Sequence, residues 1–248
     1  MNVNPRLLEA VAGAKSVAVI TGAGMSRESG IPTFRGEDGL WNNYRAEDLA
    51  TPEAFRKDPL LVWQWYDWRR QIVCNAKPHA GHFAIADMET CFTEFLLITQ
   101  NVDGLHIQAG SRKLIEIHGS IRRARCTRCE WRGELPDVGL ESLPLHCKKC
   151  DALARPDVLW FGESYDEGLL SRAAEFLHGS DLVWIVGSSG MVSVPVFLAD
   201  IAARSGATLV DVNPEEAAFS HLCDITVRGT AGKDLPRIWN TVRPSTGV

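Results

Sequence analysis

No run in the 248 residues approaches the roughly 20 apolar residues that a membrane-spanning helix needs. The stretch MNVNPRLLEAVAGAKSVAVI places Glu9 and Lys15 inside what would have to be the apolar core of a leader, so it does not read as a signal peptide. Positive charge is not in excess: 26 Lys and Arg stand against 31 Asp and Glu, giving a net charge of −5 and an isoelectric point near 5.8. That balance argues against a protein that coats nucleic acid or lies on an anionic membrane. Repeats and low-complexity linkers are also missing. One short basic cluster, Arg122-Arg123-Ala124-Arg125, is expected to be a solvated face. The expectation is a cytoplasmic monomer with no nucleic-acid or membrane partner.

What is present is ordinary for a globular chain, 45% apolar and 23% charged residues. The length suits one large domain with a smaller insertion. Short, nearly continuous apolar runs recur at 16–20, 95–99, 114–117, 182–186, 208–212 and 225–227, which is how buried parallel strands read. Helical patterns lie between them at 80–91, 167–177 and 194–206, and Asn4 before Pro5 suggests a capped helix start. The alternation predicts an α/β fold with a Rossmann-like, doubly wound parallel sheet, whose ligands sit at the carboxyl ends of the strands. Residues 39–77, aromatic-rich and helical, and residues 120–155, with four paired cysteines, break the alternation. They are expected to form a small domain beside a large one made of residues 1–38, 78–119 and 156–248.

The first strand runs into Thr21-Gly22-Ala23-Gly24-Met25-Ser26. Glycines there let backbone amides approach a pyrophosphate. The dehydrogenase fingerprint is incomplete, because its third glycine falls at Arg27 and its acidic residue falls in the loop GEDGLW. Hydride transfer is therefore disfavoured while a dinucleotide remains. Gln100, Asn101 and Asp103 follow the run FLLIT; singly each is an ordinary loop residue, but together they suit a ribose and a carboxamide. His118 follows LIEI at a strand end, either a structural histidine or a general base. Cys126-x-x-Cys129 and Cys147-x-x-Cys150, with 17 residues between the pairs, close a tetrahedral zinc site with no place for water. Such a zinc is structural. Cys74, Cys91 and Cys223 are scattered singles, for which core packing is the default. In LLVWQWYDWRRQIV, Tyr66 and Arg69 share one helix face, either as a surface patch in which Arg69 covers the indoles or as a paired phenol and guanidinium.

Taken together, GAGMSRESGIPTFRG, TQNVDGLH, IHG, the two CxxC pairs, RPDVLWFGE and the late GSS resemble the sirtuins, the NAD-dependent protein lysine deacylases, from about Ser16 to Pro236. The resemblance implies a cleft between the two domains that holds NAD and an acyl-lysine peptide, and one structural zinc ion. Gly22, Ala23, Gly24 and Ser26 would cradle the pyrophosphate, and Phe34 and Arg35 would cover the nicotinamide ribose, with Thr33 and Trp41 completing that part of the cofactor set. Gln100, Asn101 and Asp103 would hold the ribose and carboxamide, and His118 would be the catalytic base. Gly187, Ser188, Ser189, Asn213, Pro214, Glu215 and Ala231 would line the adenosine half. Residues 158–163, with Val158, Phe161 and Gly162, would pair an extended peptide. Two departures stand out: Thr33 where many deacetylases of the family have Asp, and Ser188 where Thr is common. Tyr66, Arg69 and Ala46 resemble the acyl pocket of the branch that removes succinyl and malonyl groups. The implied reaction yields nicotinamide, O-acyl-ADP-ribose and free lysine. The alternatives are a plain deacetylase, a protein ADP-ribosyltransferase or NAD hydrolase, and a non-catalytic NAD sensor.

Overall fold

Three helices start with a polar residue followed by proline, which supplies a side-chain cap and a preset first φ. Asn4 opens α1 (Pro5–Gly13) by accepting from the Arg6 amide at 3.0 Å. Beyond the short α2 (Ala46–Leu49), Thr51 caps α3 (Pro52–Lys57) and Asp58 caps α4 (Pro59–Asn75), accepting from Ala54 and Leu61 amides at 3.0 and 2.9 Å. The computed structural model describes residues 4–32, 44–137 and 139–244.

Six strands form one all-parallel sheet: β1 (Ser16–Thr21), β2 (Glu94–Thr99), β3 (Leu114–Glu116), β7 (Leu182–Val186), β8 (Thr208–Asn213) and β9 (Ile225–Arg228). Their order is β3-β2-β1-β7-β8-β9, the doubly wound arrangement with its reversal between β1 and β7. The continuous apolar runs follow from burial on both faces. Val17 and Val19 enter a core with α1, α5 (Ala80–Cys91) and α9 (Asp234–Val242), while Ala18 and Ile20 enter another with α7 (Glu167–His178) and α8 (Ser193–Arg204). Thr21 lies level with Thr99 on one side and Val186 on the other, so three strands end flush where the chemistry-bearing loops begin. Among the described residues no helix is long and apolar enough to cross a membrane.

A second sheet, antiparallel and three-stranded, has the order β5-β4-β6, from β4 (Gly119–Cys126), β5 (Arg132–Glu134) and β6 (Ala154–Val158). Ile121, Ala124, Val158 and Trp160 share a third core with Ala46, Leu49, Phe55, Trp63, Trp65 and Tyr66. The arginine cluster on β4 departs from the expected solvated face. Its side chains are half-buried and paired, Arg122 with Asp137, Arg123 with Glu116 and Asp157, and Arg125 with Glu163 and Asp157. Carboxylates contributed by distant segments make a charged strand compatible with the interior, and no local pattern in the sequence shows them.

Beneath the strand ends lies a run of histidines. His79 caps α5, its Nδ1 accepting from the Gly81 amide and its Nε2 donating to the Met25 carbonyl at 2.7 Å. His82 and His106 are buried behind it, with ring centroids 4.9 Å apart. Burial, and then the neighbouring histidines, pushes them down to about 2 and about 3. The unfolded chain takes up their protons near 6.5 and the folded chain does not, so stability from this source is complete above pH 6.5 and falls as the pH falls toward 3. The slope is about 1.4 kcal/mol per pH unit for each histidine. Urea unfolding between pH 7.5 and 5 should show this, and His106→Gln should reduce the slope by roughly one proton. An unchanged slope would remove His106 from the effect.

Candidate active site

The site begins with backbone approaching backbone at the switch point. Gly22 donates to the Val186 carbonyl at 3.1 Å, and Gly24 donates to the Gly187 carbonyl at 2.8 Å. A Cβ on Gly22 would lie 2.8 Å from that same carbonyl oxygen, and one on Gly24 would lie 2.9 Å from Gly187 Cα. Gly187 itself has φ +62°, a left-handed conformation that favours glycine. Only glycines permit this packing, which sets the turn Ala23–Met25 directly over the strand ends.

Ser26 follows the turn and is buried. Its hydroxyl donates to Asp103 Oδ2 at 2.7 Å and accepts from Asn101 Nδ2 at 3.2 Å. Asp103 Oδ1 accepts from the Leu105 amide at 2.8 Å. Burial raises the Asp103 carboxyl, opposed by those two hydrogen bonds and by the charges of Arg122 and Arg69. Gln100 donates through its side chain to Ser188 Oγ at 3.0 Å, bridging the loops after β2 and β7. Ser26, Gln100, Asn101, Asp103 and Ser188 therefore form one polar lining, assembled from three strand ends.

His118 stands at the edge of this lining, between β3 and β4. Its Nδ1 lies 2.9 Å from the Gln100 carbonyl, which can only accept, so Nδ1 carries the proton. The neutral ring then presents an unprotonated Nε2, and that atom lies 2.9 Å from the Tyr165 hydroxyl. Burial lowers the His118 pKa, opposed by the Gln100 hydrogen bond, so the ring is neutral at physiological pH. Gly119 at φ +77° turns the chain immediately into β4, where a Cβ would strike the Asp157 carbonyl.

Tyr66 and Arg69 project from α4 toward the other end of the site. Tyr66 is only 1% exposed and its oxygen accepts from Trp160 Nε1 at 2.8 Å. Burial pushes the phenol up to about 12, against the charge of Arg69, so it stays protonated. The Arg69 guanidinium lies over the Trp65 ring, 5.1 Å from its centre, and burial lowers its pKa against the charges of Tyr66 and Asp103. Ala46 is buried in the same core. Val158 ends the edge strand β6, whereas Phe161, 49% exposed, and Gly162, at φ +84°, open to solvent just beyond it. Leu159 donates to the His118 carbonyl and Phe161 to the Ala50 carbonyl, both at 2.9 Å, so this segment touches both halves of the site.

On the far side, Asn213 is buried at the end of β8, oriented by donation to Asp211, itself paired with Arg228. Ala231 is buried against Gly81, Ser189 is exposed with its carbonyl accepting from Ala218, and Pro214 and Glu215 are exposed beside Asn213. Thr33, Phe34, Arg35 and Trp41 lie outside the described residues. Sequence reasoning missed Tyr165 and Trp160. Tyr165 is 47 residues from His118 and Trp160 is 94 from Tyr66, distances at which no local spacing carries a signal.

The four cysteine sulfurs lie within 4.8 Å of one another, with Cys126 and Cys150 at 3.5 Å and Cys129 and Cys147 at 3.7 Å. A tetrahedral zinc with sulfur ligands at about 2.3 Å requires about 3.8 Å between sulfurs, so the cluster fits a structural zinc ion. Amides of Arg128 and Cys129 point at Cys126 Sγ, and that of Lys149 at Cys147 Sγ, as thiolates held by a metal require. The neighbouring His146 meets the Asp151 carbonyl through Nδ1 at 2.8 Å.

A parallel sheet reversed at a glycine contact, with polar strand-end loops and a thiolate-closed module beside it, defines a dinucleotide-binding α/β protein with a structural metal site. The Sir2 family model matches residues 22–194, and the chain belongs to that family. An NAD-dependent protein deacylase of Leptospira interrogans is 51% identical over 225 residues, covering 90% of this chain and 92% of that one. A Sir2 homologue solved with NAD is 43% identical with a TM-score of 0.92, covering 98% of this chain and 94% of the other. A mutant Sir2 homologue bound to 2′-O-acetyl ADP ribose is 42% identical, also with a TM-score of 0.92, and coverage is 97% both ways.

Zinc analysis should find one ion per chain. Its removal by chelator should lower the melting temperature and loosen the β5-β4-β6 sheet, with a loss of near-ultraviolet dichroism from Trp131 and Trp160. Unchanged melting after complete zinc loss would contradict a structural role.

Proposed function

We propose that this chain is an NAD-dependent protein lysine deacylase whose acyl pocket favours acidic chains, succinyl and malonyl, over acetyl, which it also removes. The observation that carries the deacylase reading is His118 at the edge of the polar lining, with Nδ1 held by the Gln100 carbonyl and Nε2 left as an acceptor beside the Tyr165 hydroxyl. The acidic preference rests on Arg69 beside Tyr66. A guanidinium takes a carboxylate through two parallel N–H donors, and the phenol, whose oxygen is already engaged by Trp160, still has its proton to donate. An acetyl group offers these donors no anion.

Bound NAD supplies the glycosidic bond whose cleavage releases nicotinamide and the ribose hydroxyl that receives the acyl group. The protein's own part is orientation and one proton transfer. Gly22, Ala23 and Gly24 offer backbone to the pyrophosphate. Gln100, Asn101, Asp103 and Ser26 position the nicotinamide half, and Gly187 to Ser189, Asn213 and Ala231 the adenosine half. His118 takes the ribose proton on Nε2, and burial leaves that nitrogen free of a proton at neutral pH. The edge strand β6 and the residues after it pair the substrate peptide as an added strand. In this reading residues 1–38, 78–119 and 156–248 form the dinucleotide domain, and residues 39–77 and 120–155 the smaller one. The names of the relatives and the ligands of the solved homologues support the NAD-dependent deacylase part of the reading.

His118→Ala should lower deacylation by about two to four orders of magnitude, the range for a lost general base. Near-normal nicotinamide and O-acyl-ADP-ribose formation by that variant would exclude His118 as the base. Arg69→Met should cost about 10- to 150-fold in kcat/KM on a succinyl-lysine peptide, matching a lost charge-assisted pair, and far less on the acetyl-lysine peptide. Equal losses on the two peptides would take Arg69 out of acyl recognition.

A further inference from the structure

The hydroxyl on His118 Nε2 belongs to a residue that the reaction as described does not use. Because Nδ1 gives its proton to the Gln100 carbonyl, Nε2 of the neutral ring is a bare lone pair, and at 2.9 Å the Tyr165 O–H is its donor. The placement is built in. The Tyr165 ring packs against the core shared by α7 and α8, its centre is 5.5 Å from that of His118, and Asp166 next to it caps α7 through the Leu169 amide. We propose that Tyr165 caps the acid–base centre, its hydroxyl occupying the His118 lone pair until a ribose hydroxyl of NAD displaces it.

This rests on His118 being the base. The same lone pair cannot accept from a phenol and a ribose hydroxyl at once, so substrate engagement breaks the Tyr165 hydrogen bond. Several things allow the phenol to leave. Tyr165 is half-buried, the residues before it reach solvent at Phe161 and Gly162, and the bond is the one hydrogen bond of its hydroxyl among the described residues. The segment is also the one proposed to pair the peptide, so peptide docking and release of the base act on one stretch of chain. The Gln100 carbonyl sets the orientation and tautomer of the ring, and the phenol covers the remaining lone pair and keeps Nε2 unprotonated while the site is empty. Among the described residues no charged neighbour does this instead: on β3 Glu116 is engaged by Arg123, after β2 Asp103 is engaged by Ser26, and after β6 Glu163 is engaged by Arg155.

The test is Tyr165→Phe, which removes the hydroxyl and keeps the ring. Donation to Nε2 favours the neutral imidazole, so without it His118 should titrate higher by about 0.3 to 1 unit, read by NMR of histidine-labelled, NAD-free protein. The acid limb of the kcat/KM profile for NAD should move to higher pH by the same amount. Above that limb, kcat/KM should rise about two- to tenfold, because no internal donor has to be displaced. An unmoved His118 titration, or a kcat/KM at or below that of the wild type, overturns the proposal. The His118→Ala variant keeps the two readings apart: undiminished product formation would remove the base assignment, whereas the NMR titration reads the Tyr165 contact in substrate-free protein whatever the role of His118.

Discussion

Two peptide backbones, after β1 and after β7, touch where the sheet reverses, and the rest of the site depends on that contact. Gly24 donates to Gly187 at 2.8 Å with no room for a side chain on either partner. Because the two strands end level, this one approach fixes the height of the turn at Ala23–Met25, and with it the position of Ser26. Ser26 then reaches Asn101 and Asp103 from the third flush strand end. A larger residue at any of the three glycines would lift the turn, and the hydrogen bonds that define the lining would lengthen together.

The lining is polar and mostly buried, and it is tolerable there because its members satisfy one another. Asp103 accepts from an amide and a hydroxyl, Gln100 spans two loops, and His118 is held by a carbonyl. An interior carboxylate without such partners would be far more costly than these few hydrogen bonds repay. Below it, His82 Nε2 and His106 Nδ1 are buried without partners among the described residues, a cost the fold accepts directly beneath its functional face. Preorganised donors and acceptors of this kind need not rearrange when charge develops above them.

Much of this arrangement was legible in the sequence, and the reasons differ by element. Continuous apolar runs revealed β1, β7 and β8 because burial on both faces leaves no polar positions in the pattern. The cap-and-proline pair at Asn4 and Pro5 marked a helix start because that chemistry is local. Cysteine spacing marked the metal cluster for the same reason. What stayed hidden is non-local. The arginines of β4 read as a solvated face until their carboxylate partners from β3, β6 and the loops were placed beside them. Tyr165 carried no signal at all, since nothing in GESYDEG marks a residue that reaches a histidine three strands earlier in the chain.

Trp160 shows how the two recognition tasks become one structural unit. Its amide donates to Glu163, its indole N–H donates to the Tyr66 oxygen, and the Arg155 guanidinium lies on its ring 3.1 Å from the centre. Glu163 in turn holds Arg155. A closed circuit of charge, ring and hydrogen bond therefore joins the segment that would pair a peptide to the phenol that would meet the acyl group. Movement of that segment cannot leave Tyr66 undisturbed, because the same indole is fixed at both ends. Under the proposed function, acyl identity and peptide register would be read through shared parts, so a substrate that fits one and not the other would strain the contact that serves both.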